Sequence, residues 1–221
     1  SEQLFTAFDF FTTAVLLAIP LAFLGIPELK PGFWVAITVT TVLNTFAAWG
    51  WYAAFKRENA SLISPLRLLT PPLVIFTGYL VLREAPTVGG MAGIFLTMLG
   101  LWFLFNAEAT FHHVPLREVV RRPGVLLGIA GAISFAISLP FDKQAVLTSS
   151  ALFAVMFAFA GMGIGNALIV WGRAAVSRER PRLYLRKDWR LFALLAISHS
   201  VAAYLSFAAL NFALAAYAAS V

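Results

Sequence analysis

A handful of ionisable or strongly polar residues sit inside long apolar runs: Asp9, Asn44, Arg67, the Asp142–Lys143 pair and His199. Polar groups at membrane depth are costly and usually face the interior of a bundle or a water-filled path. His199, with a reference pKa of roughly 6.5, can change protonation during a cycle, and Asp9 is the second candidate proton site. Asn44 reads in two ways: it lines a substrate pathway, or it makes a helix–helix hydrogen bond. Arg67 lies six residues into its run, roughly 9 Å deep at 1.5 Å per residue. There it either snorkels to the headgroups or grips a carboxylate with its planar fork. Asp142 and Lys143 stand near a span end and read as an interfacial pair.

Trp49, Trp51, Tyr52 and Tyr204 form the aromatic set at the level of Asn44 and His199. They are either an interfacial belt or an aromatic wall for an amphiphilic substrate. Trp49 and Tyr204 join Asn44, His199 and Arg67 as candidates for lining the cavity. His112 and His113 are adjacent, so they cannot aim at one ion from a helix, and they read as loop residues. The chain has no cysteine, which excludes thiolate catalysis and disulfides. Without a phosphate-binding loop, a nucleophile triad or a metal motif, no catalytic residue, cofactor or metal is assigned.

The elements that must carry these residues are membrane helices. The chain is 61% hydrophobic and 12% charged, against about 25% charged residues in ordinary soluble domains. Runs near 5–25, 33–55, 61–82, 87–106, 124–147, 151–172 and 191–213 reach the length of about 20 residues that a spanning helix needs. The expected fold is therefore an all-α polytopic membrane protein with about seven transmembrane helices. A signal peptide explains the first run poorly, because no basic residue precedes it. The chain reads as an internal piece of a longer protein.

The net charge of +6 is a matter of topology, and no nucleic-acid partner is expected. Lys56, Arg57, Arg117, Arg121, Arg122 and the seven basic residues from Arg173 to Arg190 fall in alternate connections. The positive-inside rule puts the 56–58, 107–123 and 173–190 loops in the cytoplasm.

Pro65, Pro71 and Pro72 interrupt the third run, which makes it a candidate gate or kink, since proline leaves nearby carbonyls unpaired. Gly89, Gly93 and Gly100, like Gly161 and Gly165 or Gly124 and Gly128, offer small faces for close helix packing. Sliding the chain by 155 residues lays Trp34 on Trp189, Asn44 on His199, and Ala47-Ala48-Trp49 on Ala202-Ala203-Tyr204. Such an offset indicates a duplication. A repeat of about five helices, an odd number, places the second copy upside down, as in many secondary transporters.

The segment Ser64-Pro65-Leu66, Thr70-Pro71, Leu82-Arg83-Glu84, then Gly93, Leu96, Leu99 and Gly100 resembles the end of an EamA-type repeat of the drug/metabolite transporter (DMT) superfamily. The resemblance extends more weakly over Gly124–Gly172 and Trp189–Val221. It implies inverted five-helix repeats, with residues 1–106 a first repeat lacking its first helix, 107–123 a connecting loop, and 124–221 a second repeat lacking its last two. The seven runs then resemble helices two to eight of ten. The family's usual orientation is opposite to the one the charges indicate.

Further implications of the resemblance are alternating access, a place in the plasma (inner) membrane, a role as exporter of a small organic metabolite, and room for a homodimer. Cargoes in such a family include amino acids, sugars and drug-like amphiphiles. The alternatives are a membrane-embedded enzyme or lipid-handling protein using His199, Asp9 and Arg67, and a non-transporting sensor or scaffold.

Overall fold

The computed structural model describes residues 2–107, 116–177 and 189–215, and every regular element within them is helical. The helices are α1 (Glu2–Leu24), α2 (Phe33–Phe55), α3 (Ala60–Ile63) with a 3-10 segment (Ser64–Leu69), α4 (Thr70–Leu82) and α5 (Val88–Ala107). They continue with α6 (Leu116–Arg121), α7 (Pro123–Leu147), α8 (Ala151–Ser177) and α9 (Trp189–Ala209). Six of the helical runs are long and apolar enough to cross a membrane. The seventh expected run is α5, whose apolar stretch Val88–Gly100 is shorter. The protein is an all-α polytopic membrane protein, and lipid requires this, because only a helix or a closed barrel satisfies every backbone group internally.

Two expectations about connections change. α8 continues to Ser177, so Arg173 is helical and its guanidinium donates to Gln3 Oε1 at 3.1 Å. Residues 108–115 and 178–188, with Glu108, His112, His113, Pro115 and most of the basic cluster, lie outside the described residues.

The chain packs as two compact units. One comprises Ser1–Thr45 with Phe141–Ala213, the other Phe46–Pro140 with Leu214–Val221. Helices α2 and α7 each contribute to both, so packing does not follow the sequential halves 1–106 and 124–221.

In the first unit α1 lies along α8 and also meets α9. Gly161 and Gly165 of α8 receive Thr41 and Thr45 of α2; a methyl group on Gly165 would come within 2.7 Å of Thr45 Oγ1. On the opposite side of α8 from that seam, Gly163 faces Phe11, whose ring would lie 2.9 Å from an added Cβ. Phe10 meets Phe159 edge to face, with ring centroids 5.4 Å apart.

In the second unit the core gathers Ala47, Trp51, Ala54, Ile63, Leu66 and Val125. Its prolines explain its broken helix. Pro65 opens the 3-10 segment, and Pro71 and Pro72 occupy the first turn of α4, where a missing N–H has no partner to lose. Residues 60–82 are therefore three short pieces instead of one rod. Pro140 inside α7 cannot donate to the carbonyl of Ala136. The Thr77 hydroxyl of α4 does so instead, at 2.7 Å. Gly124 and Gly128 admit Glu58 and Leu66 respectively, whereas Gly89, Gly93 and Gly100 have no atom within 4 Å of an added Cβ. The close helix contact expected of that last stripe is not made among the described residues.

Candidate functional site

The first unit holds two buried polar clusters. In one, His199 Nδ1 lies 2.7 Å from Asp9 Oδ2. When Asp9 is ionised its oxygen can only accept, and Nδ1 is then the donor. Asp9 is buried, while the His199 side chain remains about one-third exposed. The imidazole sits between Phe159 and Phe10, whose ring centroids are 5.2 and 6.1 Å away. Asp9 Oδ1 and Thr13 Oγ1, one turn apart on α1, are buried without a hydrogen-bond partner among the described residues. By contrast, Thr12 donates to the carbonyl of Phe8 at 2.9 Å.

In the second cluster, Asp142 Oδ1 accepts hydrogen bonds from the Thr40 hydroxyl and, at 3.5 Å, from the Asn44 amide. Asn44 also reaches Thr40 Oγ1 at 3.3 Å. Lys143 Nζ donates to the carbonyl of Ala213, just beyond the end of α9, at 2.8 Å. Asp142 and Lys143 are both buried, at 2% and 8% exposure. They stand near the end of α7, as expected, but each is turned into the protein with its own partner.

Beside these clusters lies a cavity of about 420 Å³ between α1, the start of α8 and α9. Its walls are apolar except for Ser200 and Tyr204, and include Leu17, Pro20, Ile197 and Val201.

Of the residues expected to line a pathway, Asn44, His199 and Tyr204 belong to this unit, and Arg67 and Trp49 to the other. Asn44 and His199 coincide under the repeat but have separate partners. Tyr204 faces the cavity. Arg67 is exposed, with its guanidinium 5.1 Å from the Trp51 ring, a cation–π contact. Asp9 and His199, treated as scattered candidates, are direct partners. Thr13 and Thr40 do not stand out in the sequence, and Asp142 reads there only as half of an interfacial pair. The available signal was the spacing of Asp9 with Thr13 and of Thr40 with Asn44, four residues apart on one helix face.

A model of the EamA-like transporter family matches residues 1–106. Those residues are EamA-like. No curated protein and no solved structure matches the chain. The EamA-like segment contributes Asp9, Thr13, Thr40 and Asn44 to the two clusters, while Asp142, Lys143 and His199 come from helices beyond it. The helices make this an integral membrane protein, and its first 106 residues resemble the EamA-like transporter family.

Proposed function

We propose that the protein is a secondary transporter that exports a small organic metabolite by alternating access between two inverted repeats, residues 1–106 and 124–221. The observation that carries this reading is the pairing of Asp9 with His199 inside membrane helices of a chain whose first half is EamA-like. A carboxylate and an imidazole in contact can exchange a proton in response to what binds beside them, which suits a coupling site. Asn44, through Asp142, supplies a polar wall, and Tyr204 an aromatic one. The kinked 60–82 segment, with Pro65, Pro71 and Pro72, serves as a gate. The plasma membrane, the cytoplasmic placement of the 56–58, 107–123 and 173–190 loops, and a homodimer belong to the same reading.

The enzyme alternative draws support from the same pair, because a His–Asp dyad can act as a base. Among the described residues, however, His199 has no hydrogen bond to a hydroxyl that it could activate.

The test is flux. Membrane vesicles carrying the full-length protein, loaded in turn with labelled amino acids, sugars and amphiphilic amines, should release at least one class faster than protein-free vesicles. His199→Ala should reduce that flux at least tenfold. Chemical turnover of a bound compound without movement across the membrane would replace the transporter by the enzyme. Absence of flux for every class would remove the reading.

A further inference from the structure

Asp9 is a buried carboxylate with a divided role. Its Oδ2 is taken by His199, while Oδ1 meets no donor among the described residues. One turn further along the same face, the Thr13 hydroxyl is fully buried and equally unmatched. Threonine in a helix ordinarily returns its hydroxyl to the carbonyl four residues back, as Thr12, Thr45 and Thr148 do here. Thr13 does not. A buried polar atom without a partner is unfavourable, and Asp9 and Thr13 stand four residues apart on one face of α1.

The next residue in that series is Leu17, buried, four residues on, and part of the cavity wall. Asp9, Thr13 and Leu17 thus form a line of about 12 Å along α1, at 1.5 Å per residue, running from a carboxylate to an apolar chamber. On α9, His199 lies at the polar end and Ser200 and Val201 at the apolar end. A volume of about 420 Å³ falls in the range of small-molecule sites.

We infer that this line binds a primary amine with a hydrocarbon body: the ammonium between Asp9 Oδ1 and Thr13 Oγ1, the body in the cavity. The donor set selects the chemistry. A hard metal ion takes about six oxygen ligands, and two unmatched oxygens do not make such a cage. An ammonium donates up to three hydrogen bonds, satisfies both oxygens, and balances the carboxylate when His199 is a neutral Nδ1–H donor. A quaternary ammonium has no N–H to give to Thr13, so the site prefers the primary amine. A neutral alcohol leaves the carboxylate charge unbalanced. This inference deepens the transporter reading by naming a cargo class, and it rests on that reading only for movement, not for binding.

The experiment is calorimetric binding to the full-length protein in lipid nanodiscs, with empty nanodiscs subtracted. The probes are hexylamine, hexanol and hexyltrimethylammonium. Hexylamine should bind at least tenfold more tightly than either of the others. Thr13→Val, nearly isosteric, should abolish the preference over hexyltrimethylammonium, and Leu17→Trp, which fills the cavity, should weaken all three probes. Equal affinity for the three probes on the native protein would overturn the proposal, and so would an unchanged hexylamine affinity in Thr13→Val. The native-protein comparison needs no variant to fold. Amine binding without flux would leave this site standing and remove the transporter reading. Flux of another class without amine binding would do the reverse.

Discussion

The two compact units bury different chemistry. The first buries Asp9, Thr13, Thr40, Asn44, Asp142, Lys143 and Asn166, whereas the second buries Thr70 and Ser138 among its polar side chains. The second unit is instead organised by prolines and by aromatic and aliphatic packing around Trp51. Its cation–π pair, Arg67 on Trp51, has an exposed arginine. Charge inside a membrane helix is expensive and is tolerated where it serves a path, a relay or a ligand. Under the proposed transport function, recognition and coupling fall to the first unit, and the kinked segment with its packing to the second.

The largest effect should follow from removing the centre of the second polar cluster. Asp142→Ala takes a shared acceptor from the Thr40 hydroxyl and the Asn44 amide, and each buried donor that loses its acceptor costs about 1–3 kcal/mol. The purified protein in detergent should melt at clearly lower temperature. Asp142→Asn, which retains a hydrogen-bonding side chain, should fold and yet lose transport. If Asp142→Ala melts like the native protein, the first unit's polarity is not structural and the comparison weakens.

A smaller loss is expected at the seam of α2 and α8. Gly165→Leu drives a side chain into Thr45, and overpacking of this kind costs about 1–3 kcal/mol. In the second unit Thr77→Val removes one hydrogen bond to the Ala136 carbonyl that Pro140 leaves open, at about 1 kcal/mol. The smallest effect belongs to Gly93→Leu, where no neighbour lies within 4 Å. Its melting temperature should match the native value within about 0.5 kcal/mol, as for surface sites generally. A large loss at Gly93 would show that its face is covered in the membrane, and would bring the homodimer forward.

Topology offers a separate check. The chain has no cysteine, so single cysteines placed near Arg57 and in the 173–190 connection report cleanly to an impermeant maleimide on intact cells. Protection at both positions supports the orientation read from the basic residues, and labelling at both restores the family's usual one. Labelling at one position alone contradicts the count of spans.

Much of this was legible beforehand. Apolar runs of spanning length announced the helices, because lipid leaves the backbone almost no other choice. The prolines of the third run marked a break that became the 3-10 segment from Ser64 to Leu69. Asp9, Asn44 and His199 stood out because polar residues are rare in such runs. Their partners did not. Asp142 looked interfacial from its distance to the span end, and Thr13 and Thr40 looked like ordinary helix threonines. Gly93 and Gly161 were indistinguishable as letters, although one meets no neighbour within 4 Å and the other receives Thr41.

The sequence by itself determined that this is a bundle of membrane helices, where those helices bend, and which side chains are expensive to bury. These are properties of single runs, set by transfer of backbone and side chains out of water. Only the tertiary structure decided that Asp9 meets His199 across 190 positions and that Asp142 meets Thr40 across 102. It alone also placed an apolar cavity at the end of the Asp9–Thr13 line. A helix presents side chains in every direction, and which of them faces a neighbour depends on the rotation and packing of whole helices, a choice no single run contains.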